Sequence, residues 1–494
     1  VVIVELMLLT SILAVTPAHA SVALQEPQPA APTTFRNPIR SNAPDPFMFY
    51  HEGAYYLLAT QTDRISFWTD ESVTGLAATP EHTVWRPDDP TRDEHIWAPE
   101  LHLVNGRWYL YYNASADRLW DQRMYVLESQ SADPLGPYHF KGELQTNNWF
   151  SIDGSLLRMP DGSLYMMWSD VPPGREQRIL IAPMSDPWTI SGPPSVISRS
   201  EYDWERKHAP GNEGPAALWH NGRLFVTYSG SNCDTPDYAL GLLTYNAGPP
   251  TDPNSWTKSS EPIFSRSDAN WVFGPGHNSF FSSPDGTETW TAYHAVTTSD
   301  GRPDGDCEER RTAHIQKVYW NADGTPDFGV PAATWENITL PSGDPGADTV
   351  PDGHYRLTPE NNAGNALSVN DCSTDGAGGA DVVSRYSGML CQQWRVEALS
   401  DGTYKITDRY SGKSLDLAEC AGANGVDVVL GTYSGRDCQR WYLDPLGGGS
   451  YRVTPAGSGR ALDVRGCSAG PGADADAWPY WNGDCQRWRL EPVP

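Results

Sequence analysis

Positive charge is scarce in this sequence: 35 Lys and Arg stand against 62 Asp and Glu, a formal net charge of −27, and no basic run or patch occurs. That excludes nucleic acid or an anionic membrane surface as the expected partner. No Gly-x-Ser-x-Gly elbow and no His-Glu-x-x-His is present, so neither a serine-hydrolase nor a zinc-protease site is expected. The eight cysteines include no Cys-x-x-Cys, which argues against zinc, and helical periodicity is nearly absent. After residue 20 no apolar run is long enough to span a bilayer.

Aromatic residues are plentiful. Trp (20) and Tyr (23) outnumber Phe (12), supplying flat rings that carry a hydrogen-bonding tip and suit sugars, although such rings also simply pack between sheets. Residues 1–20, apolar and ending Ala18-His19-Ala20, read as a secretory signal peptide, with a membrane anchor as the competing reading. A Pro/Ala-rich tether follows over 21–34. Secretion to the extracellular space agrees with the even cysteine count.

From 35 to 340 the pattern is strand, turn, strand, with a polar residue ahead of each hairpin. Asp45, Glu100, Asp153, Glu213 and His277 lead five such units, spaced 55, 53, 60 and 64 residues apart. Five similar all-β units predict a five-bladed β-propeller, in which residues at the starts of the innermost strands converge near the axis. A linker at 341–352, rich in Pro, Gly and Asp, separates this unit from residues 353–494, where the repeat changes. There Trp394, Trp441 and Trp488 recur 47 residues apart inside Cys391-Gln392-Gln393-Trp394, Cys438-Gln439-Arg440-Trp441 and Cys485-Gln486-Arg487-Trp488. Cys372, Cys420 and Cys467 precede them, and the periodic pairs 372/391, 420/438 and 467/485 predict one disulfide per repeat. Cys233 and Cys307 remain as a candidate pair in the first domain.

The triple Gln-x-Trp resembles the ricin-type β-trefoil, in particular carbohydrate-binding module family 13. The resemblance implies shallow sugar sites, with Asp416 and Asp463 as the acids that bond sugar hydroxyls and Ser368 in their place in the first repeat. Tyr433 and Tyr480 are the expected stacking rings, while the Gln and Trp of each motif read as core pieces.

Glycoside hydrolysis needs one protonated and one ionised carboxyl about the scissile bond. Asp45, Asp153 and Glu213 can supply both from three blades; the plain alternative for any one of them is an acid satisfying strand-end amides. Ala43-Pro44-Asp45-Pro46, Trp97-Ala98-Pro99-Glu100-Leu101, Ser151-Ile152-Asp153-Gly154-Ser155, Asn212-Glu213-Gly214-Pro215 and Gly274-Pro275-Gly276-His277-Asn278 together resemble glycoside hydrolase family 43, most closely its exo-1,5-α-L-arabinofuranosidases. The resemblance implies an inverting hydrolase in which Asp45 is the general base, Glu213 the general acid, and Asp153 the residue that raises the acid's pKa and orients it. It also implies Trp97 as a pocket ring and His277 on the channel floor. By the same resemblance, His314 in Arg311-Thr312-Ala313-His314-Ile315 is a candidate metal ligand for a structural calcium; no cofactor is required for the chemistry. The expected partner is a plant cell-wall polysaccharide, arabinan or arabinoxylan, and a monomer is expected. Endo-arabinanase, β-xylosidase and arabinoxylan arabinofuranosidase activities stay open on this fold, as does a catalytically silent carbohydrate-binding protein.

Overall fold

A computed structural model describes residues 33–116, 118–146, 149–297, 311–346, 350–373 and 382–494. The predicted signal peptide and Cys307, with its suggested bond to Cys233, lie outside the described residues. Among those described there is no α-helix, only short 3-10 turns, and no helix is long and apolar enough to cross a membrane. The chain folds as a five-bladed β-propeller followed by a β-trefoil.

Four blades are antiparallel meanders of four strands or more. The first holds Phe47–His51, Ala54–Leu58, Ile65–Asp70 and His82–Trp85. The second holds Glu94–Val104, Arg107–Ser115, Arg123–Ser129 and Tyr138–Glu143. In the third, Phe150–Arg158, Leu164–Val171 and Arg178–Asp186 are joined by Thr189–Ile190 and Ser195–Arg199. The fourth runs Asn212–His220, Arg223–Gly230, Ala239–Tyr245 and Trp256–Lys258.

The fifth blade has three strands of its own, Phe273–Ser282, Thr289–Val296 and Thr312–Lys317. Its outer edge is covered by the start of the domain. Ile39 N–H donates to the Ala313 carbonyl (2.8 Å), Ala313 N–H to that of Arg40 (2.9 Å), and Ala43 N–H to that of Arg311 (2.9 Å). The buried Asn37 amide closes the seam from both sides, donating to the Ile315 carbonyl and accepting from Ile315 N–H, each at 2.9 Å. An edge that would template aggregation is thereby paired, and the ring is shut.

Alternating apolar residues on each strand pack against the next blade. Tyr55, Trp68, Phe281 and Trp290 fill the seam between the fifth and first blades, and Tyr111, Met166, Trp168 and Leu180 that between the second and third. Trp168 and Trp290 are almost wholly buried, each stabilising its seam by roughly 2–3 kcal/mol.

In the trefoil the three repeats share one bonding pattern. The indole N–H groups of Trp394, Trp441 and Trp488 donate to the Leu367, Leu415 and Leu462 carbonyls at 3.0, 3.0 and 2.8 Å, and all three rings are buried. Gln392, Gln439 and Gln486 are buried too, so the Gln-x-Trp motif is core. The three disulfides join 372 to 391, 420 to 438 and 467 to 485, one per repeat as the spacing predicts.

The trefoil docks on the same N-terminal segment that closes the propeller. The buried Arg452 donates from Nη1 to the carbonyls of Asn37 (2.8 Å) and Thr334 (3.0 Å), and from Nε to Asp444 (3.0 Å). Arg36 lies over the Tyr442 ring at 3.5 Å and pairs with Asp444 at 3.3 Å. Beneath Arg452 sits Tyr480, only 3% exposed, with the guanidinium 4.9 Å from its ring. The sugar-stacking role expected for Tyr480 is therefore corrected: its ring is spent on the contact between domains.

Candidate active site

Each innermost strand begins with a backbone irregularity that aims a side chain at the axis. Asp45, Ala98, Asp153, Gly214 and His277 all have left-handed φ, between 43° and 57°. Register shifts fall at Trp97/Glu100, Ile152/Ser155, Glu213/Ala216 and Gly276/Ser279. A bulge of this kind re-aims a strand, and a left-handed non-glycine residue costs on the order of 1–3 kcal/mol, which the surrounding seams must offset. The repeat read from sequence is thus real, with two adjustments. In the second blade the equivalent of the acids is Ala98, and Glu100, two residues on, bonds His102 Nε2 (2.8 Å) away from the chemistry. In the fourth blade the left-handed residue is Gly214, so Glu213 approaches from one position earlier.

These irregularities bring Asp45, Asp153, Glu213, Trp97 and His277 to one cavity of ≈ 470 Å³. Asp45 is buried and held on every side. Arg311 Nη1 donates to its Oδ1 at 2.7 Å, Thr60 Oγ1 to its Oδ2 at 2.7 Å, and His277 Nδ1 lies 3.2 Å from Oδ1. Asp45 N–H donates to His294 Nδ1 (3.2 Å), which fixes that ring as a neutral acceptor; burial and Arg311 push its pKa down to about 3. Burial alone would raise the Asp45 pKa, but Arg311 and His277 outweigh it and hold this carboxyl well below the usual range. It is a carboxylate at neutral pH.

Asp153 has the opposite character. It is 6% exposed; its Oδ2 accepts Gly214 N–H (3.0 Å), and its own N–H donates to Asn113 Oδ1 (3.2 Å). Burial, reinforced by the charges of Glu213 and Asp45 and opposed by His277, pushes it up to about 7. Glu213 is only half-buried and faces the cavity. Tyr238 Oη donates to its Oε1 at 2.7 Å and Gln177 Nε2 to its Oε2 at 2.8 Å. Despite its own burial, His277 is raised by the three acids around it. Two carboxyls of one cavity are thus driven apart in pKa, the arrangement that acid–base chemistry requires.

The floor is charged, whereas the rim is apolar. Leu119, Trp120, Phe150, Ile152 and Val171 line the mouth, and Trp120 is 68% exposed with its ring 5.2 Å from that of Phe150. Sequence reasoning misses Arg311, His294, Tyr238, Gln177 and Trp120 as site residues. One signal points to Arg311: buried acids at an axis need a cation, and the Arg-Thr-Ala-His-Ile run offers one. The others lie away from the innermost strands, where the repeat carries no information.

His314 is buried in the fifth blade. Its Nε2 faces Thr312 Oγ1 at 2.8 Å, and burial, with help from Arg452, pushes its pKa down to about 3. Among the described residues its Nδ1 has no hydrogen-bond partner, and no group of three or more His, Cys, Asp and Glu could hold a metal. Calcium takes roughly six to eight oxygen ligands, so a single imidazole with an arginine nearby does not fit it.

On the trefoil, Asp416 Oδ2 is already engaged by Gln439 (2.9 Å) and Arg436 (2.7 Å), and Gly431 stands where an aromatic would be useful. Tyr433 lies under Lys405, whose ammonium is 5.1 Å from the ring centre. The third repeat differs. Asp463, Asp476, Arg465, Trp478 and Trp481 line a cavity of ≈ 370 Å³; among the described residues the Oδ1 atoms of Asp463 and Asp476, like that of Asp416, have no hydrogen-bond partner. Trp478, 36% exposed, occupies the register position of Gly431 and is the ring available to a sugar here.

A profile described as "Glycosyl hydrolases family 43" matches residues 35–326, and one described as "Ricin-type beta-trefoil lectin domain-like" matches 335–431 and 437–494. The chain is similar to the "Extracellular exo-alpha-(1->5)-L-arabinofuranosidase" of Streptomyces avermitilis, 42% identical over 64% of this chain and 67% of that protein. It is also similar to "Alpha-L-arabinofuranosidase 43" of Humicola insolens, 40% identical over 58% of this chain and 61% of that one. Among solved structures, the α-L-arabinofuranosidase from Lactobacillus brevis aligns at 34% identity with a TM-score of 0.57, covering 61% of this chain and 98% of its own.

Proposed function

The chain belongs to glycosyl hydrolases family 43, an inverting family, and on that premise we propose that it releases L-arabinofuranose from the ends of α-1,5-linked arabinan. The observation that carries this reading is the meeting of three acids in one cavity, with Asp45 held as a carboxylate by Arg311 and Asp153 pushed up to about 7 beside the half-buried Glu213.

In a single displacement, Asp45 takes a proton from a water as that water attacks the anomeric carbon. Glu213 gives its proton to the departing glycosidic oxygen, and the linkage breaks from the opposite face. Arg311 keeps the base ionised, and His277 stands between the base and the strand of the acid, its ring 3.1 Å from where a Cβ on Gly214 would sit. Asp153 works from beneath: its buried carboxyl accepts Gly214 N–H at 3.0 Å and so braces the backbone next to Glu213.

Substrate length fits the division of the cavity. Its charged floor suits the hydroxyls of the terminal ring, and the Trp120–Phe150 rim offers an apolar face to the C–H groups of the next. A polysaccharide partner agrees with the trefoil, whose third repeat, with Asp463 and Trp478, is the proposed glycan contact. Action outside the cell is supported by relatives named extracellular and by three disulfides. Incubation with debranched arabinan tests the reading: arabinose alone is expected, and a ladder of oligosaccharides would instead indicate internal cleavage.

A further inference from the structure

Tyr238 is among the largest fully buried side chains of the propeller, yet its hydroxyl is the group that touches Glu213 most closely. It precedes the third strand of the fourth blade, in a loop closed by Tyr238 N–H donating to the Thr235 carbonyl (3.2 Å) and pinned to the fifth blade by Gly274 N–H donating to the Pro236 carbonyl (2.8 Å). Its ring stacks on His294 at 5.5 Å and 9°, and His294 accepts the N–H of Asp45. One face of the ring thus supports the base's neighbour while the hydroxyl holds the acid.

The sequence around it is fitted to this ring. A Cβ on Gly276 would come within 2.3 Å of Tyr238 Cε1, and one on Gly274 within 3.1 Å of the Thr235 carbonyl. Gly274-Pro275-Gly276-His277 therefore does two things: it turns His277 into the cavity and leaves room for Tyr238. The adjoining Ser229 Oγ accepts His277 N–H at 2.7 Å and also bonds the Tyr238 hydroxyl, so a chain of hydrogen bonds runs from the fifth-blade backbone to Glu213.

We propose that Tyr238 is a positioning residue for the reaction, holding the Glu213 carboxyl toward the departing oxygen and tying its orientation to the fifth blade. This rests on the acid role of Glu213. The other groups facing Glu213 are the Gln177 amide, Asp153 beneath it and His277 beside it, with Asp45 and its partner Arg311 farther across the floor.

The test compares Tyr238→Phe with the native enzyme on arabinobiose, whose leaving group needs protonation, and on 4-nitrophenyl arabinofuranoside, whose leaving group does not. Expected are a fall of ~10-fold or more in kcat on arabinobiose with KM within about twofold, and a loss below about threefold on the aryl substrate. Equal losses on both substrates, or an unchanged kcat on arabinobiose, would overturn the proposal. Should Tyr238→Phe not fold, Gly276→Ala, whose methyl displaces the ring, gives the same comparison, with the same results counting for and against. Native turnover of the two substrates tests the hydrolase reading itself, and Glu213→Gln must show the same selectivity for leaving group. Its failure to do so would remove the acid assignment rather than the contact made by Tyr238.

Discussion

Replacing Asp153 with Asn should abolish turnover and yet stabilise the fold, with a pH dependence that identifies the cause. In the folded protein this carboxyl keeps its proton up to about 7, against an ordinary value of 3.8. Below 3.8 both folded and unfolded chains are protonated there, and the residue makes no difference. As pH rises from 3.8 to about 7 the unfolded chain ionises while the folded one does not, so folding is increasingly opposed; above about 7 the penalty is complete. At ~1.4 kcal/mol per pH unit the penalty has a ceiling of ~4 kcal/mol. Relaxation and water penetration on ionisation reduce it to something on the order of 2 kcal/mol. For a domain of roughly 300 residues that is ~3 °C in Tm. The assay is thermal unfolding of both proteins at pH 4 and pH 8: the variant should melt higher at pH 8 and level with the native chain at pH 4. A variant no more stable at pH 8 than at pH 4, relative to native, would show that Asp153 is not held protonated.

The same geometry leads to three other expected outcomes. Arg311→Met strips the buried Asp45 of its cation and should destabilise the propeller by ~3–5 kcal/mol, read by chemical unfolding. It should also move the low-pH limb of kcat/KM upward, because Asp45 then protonates more easily; an unmoved limb would argue against Asp45 as the base. Trp120→Ala should raise KM for arabinotriose ~3- to 10-fold while moving that for methyl arabinofuranoside less than about twofold, since only the longer substrate reaches the rim. Trp478→Ala should weaken retention on insoluble arabinan several-fold in a depletion assay, and undiminished retention would reject the third trefoil repeat as the glycan contact.

Much of this is legible in the chain because propellers and trefoils repeat. Leader spacings of 53 to 64 residues locate the axis, and the 47-residue period locates the disulfides and the core tryptophans. Repetition does not carry the irregularities, however. The bulge that puts Ala98 at the axis in place of Glu100 shifts one strand by two residues, and hairpin spacing is blind to it. His294 stands on a second strand and Tyr238 just ahead of a third, where nothing recurs from blade to blade, and they reach the site only because the blades close into a ring. Tyr480 misleads for a related reason. Its position in the repeat is that of Tyr433, but the third repeat meets the propeller through Arg452, which covers the ring.

The most direct test of the central claim, that Asp45 and Glu213 act from opposite faces of the sugar in one displacement, is the anomeric form of the first product. Proton NMR during rapid hydrolysis of arabinobiose should show β-L-arabinofuranose from the cleaved end accumulating ahead of mutarotation. Initial formation of the α-anomer would mean retention, and would contradict the roles given to both acids.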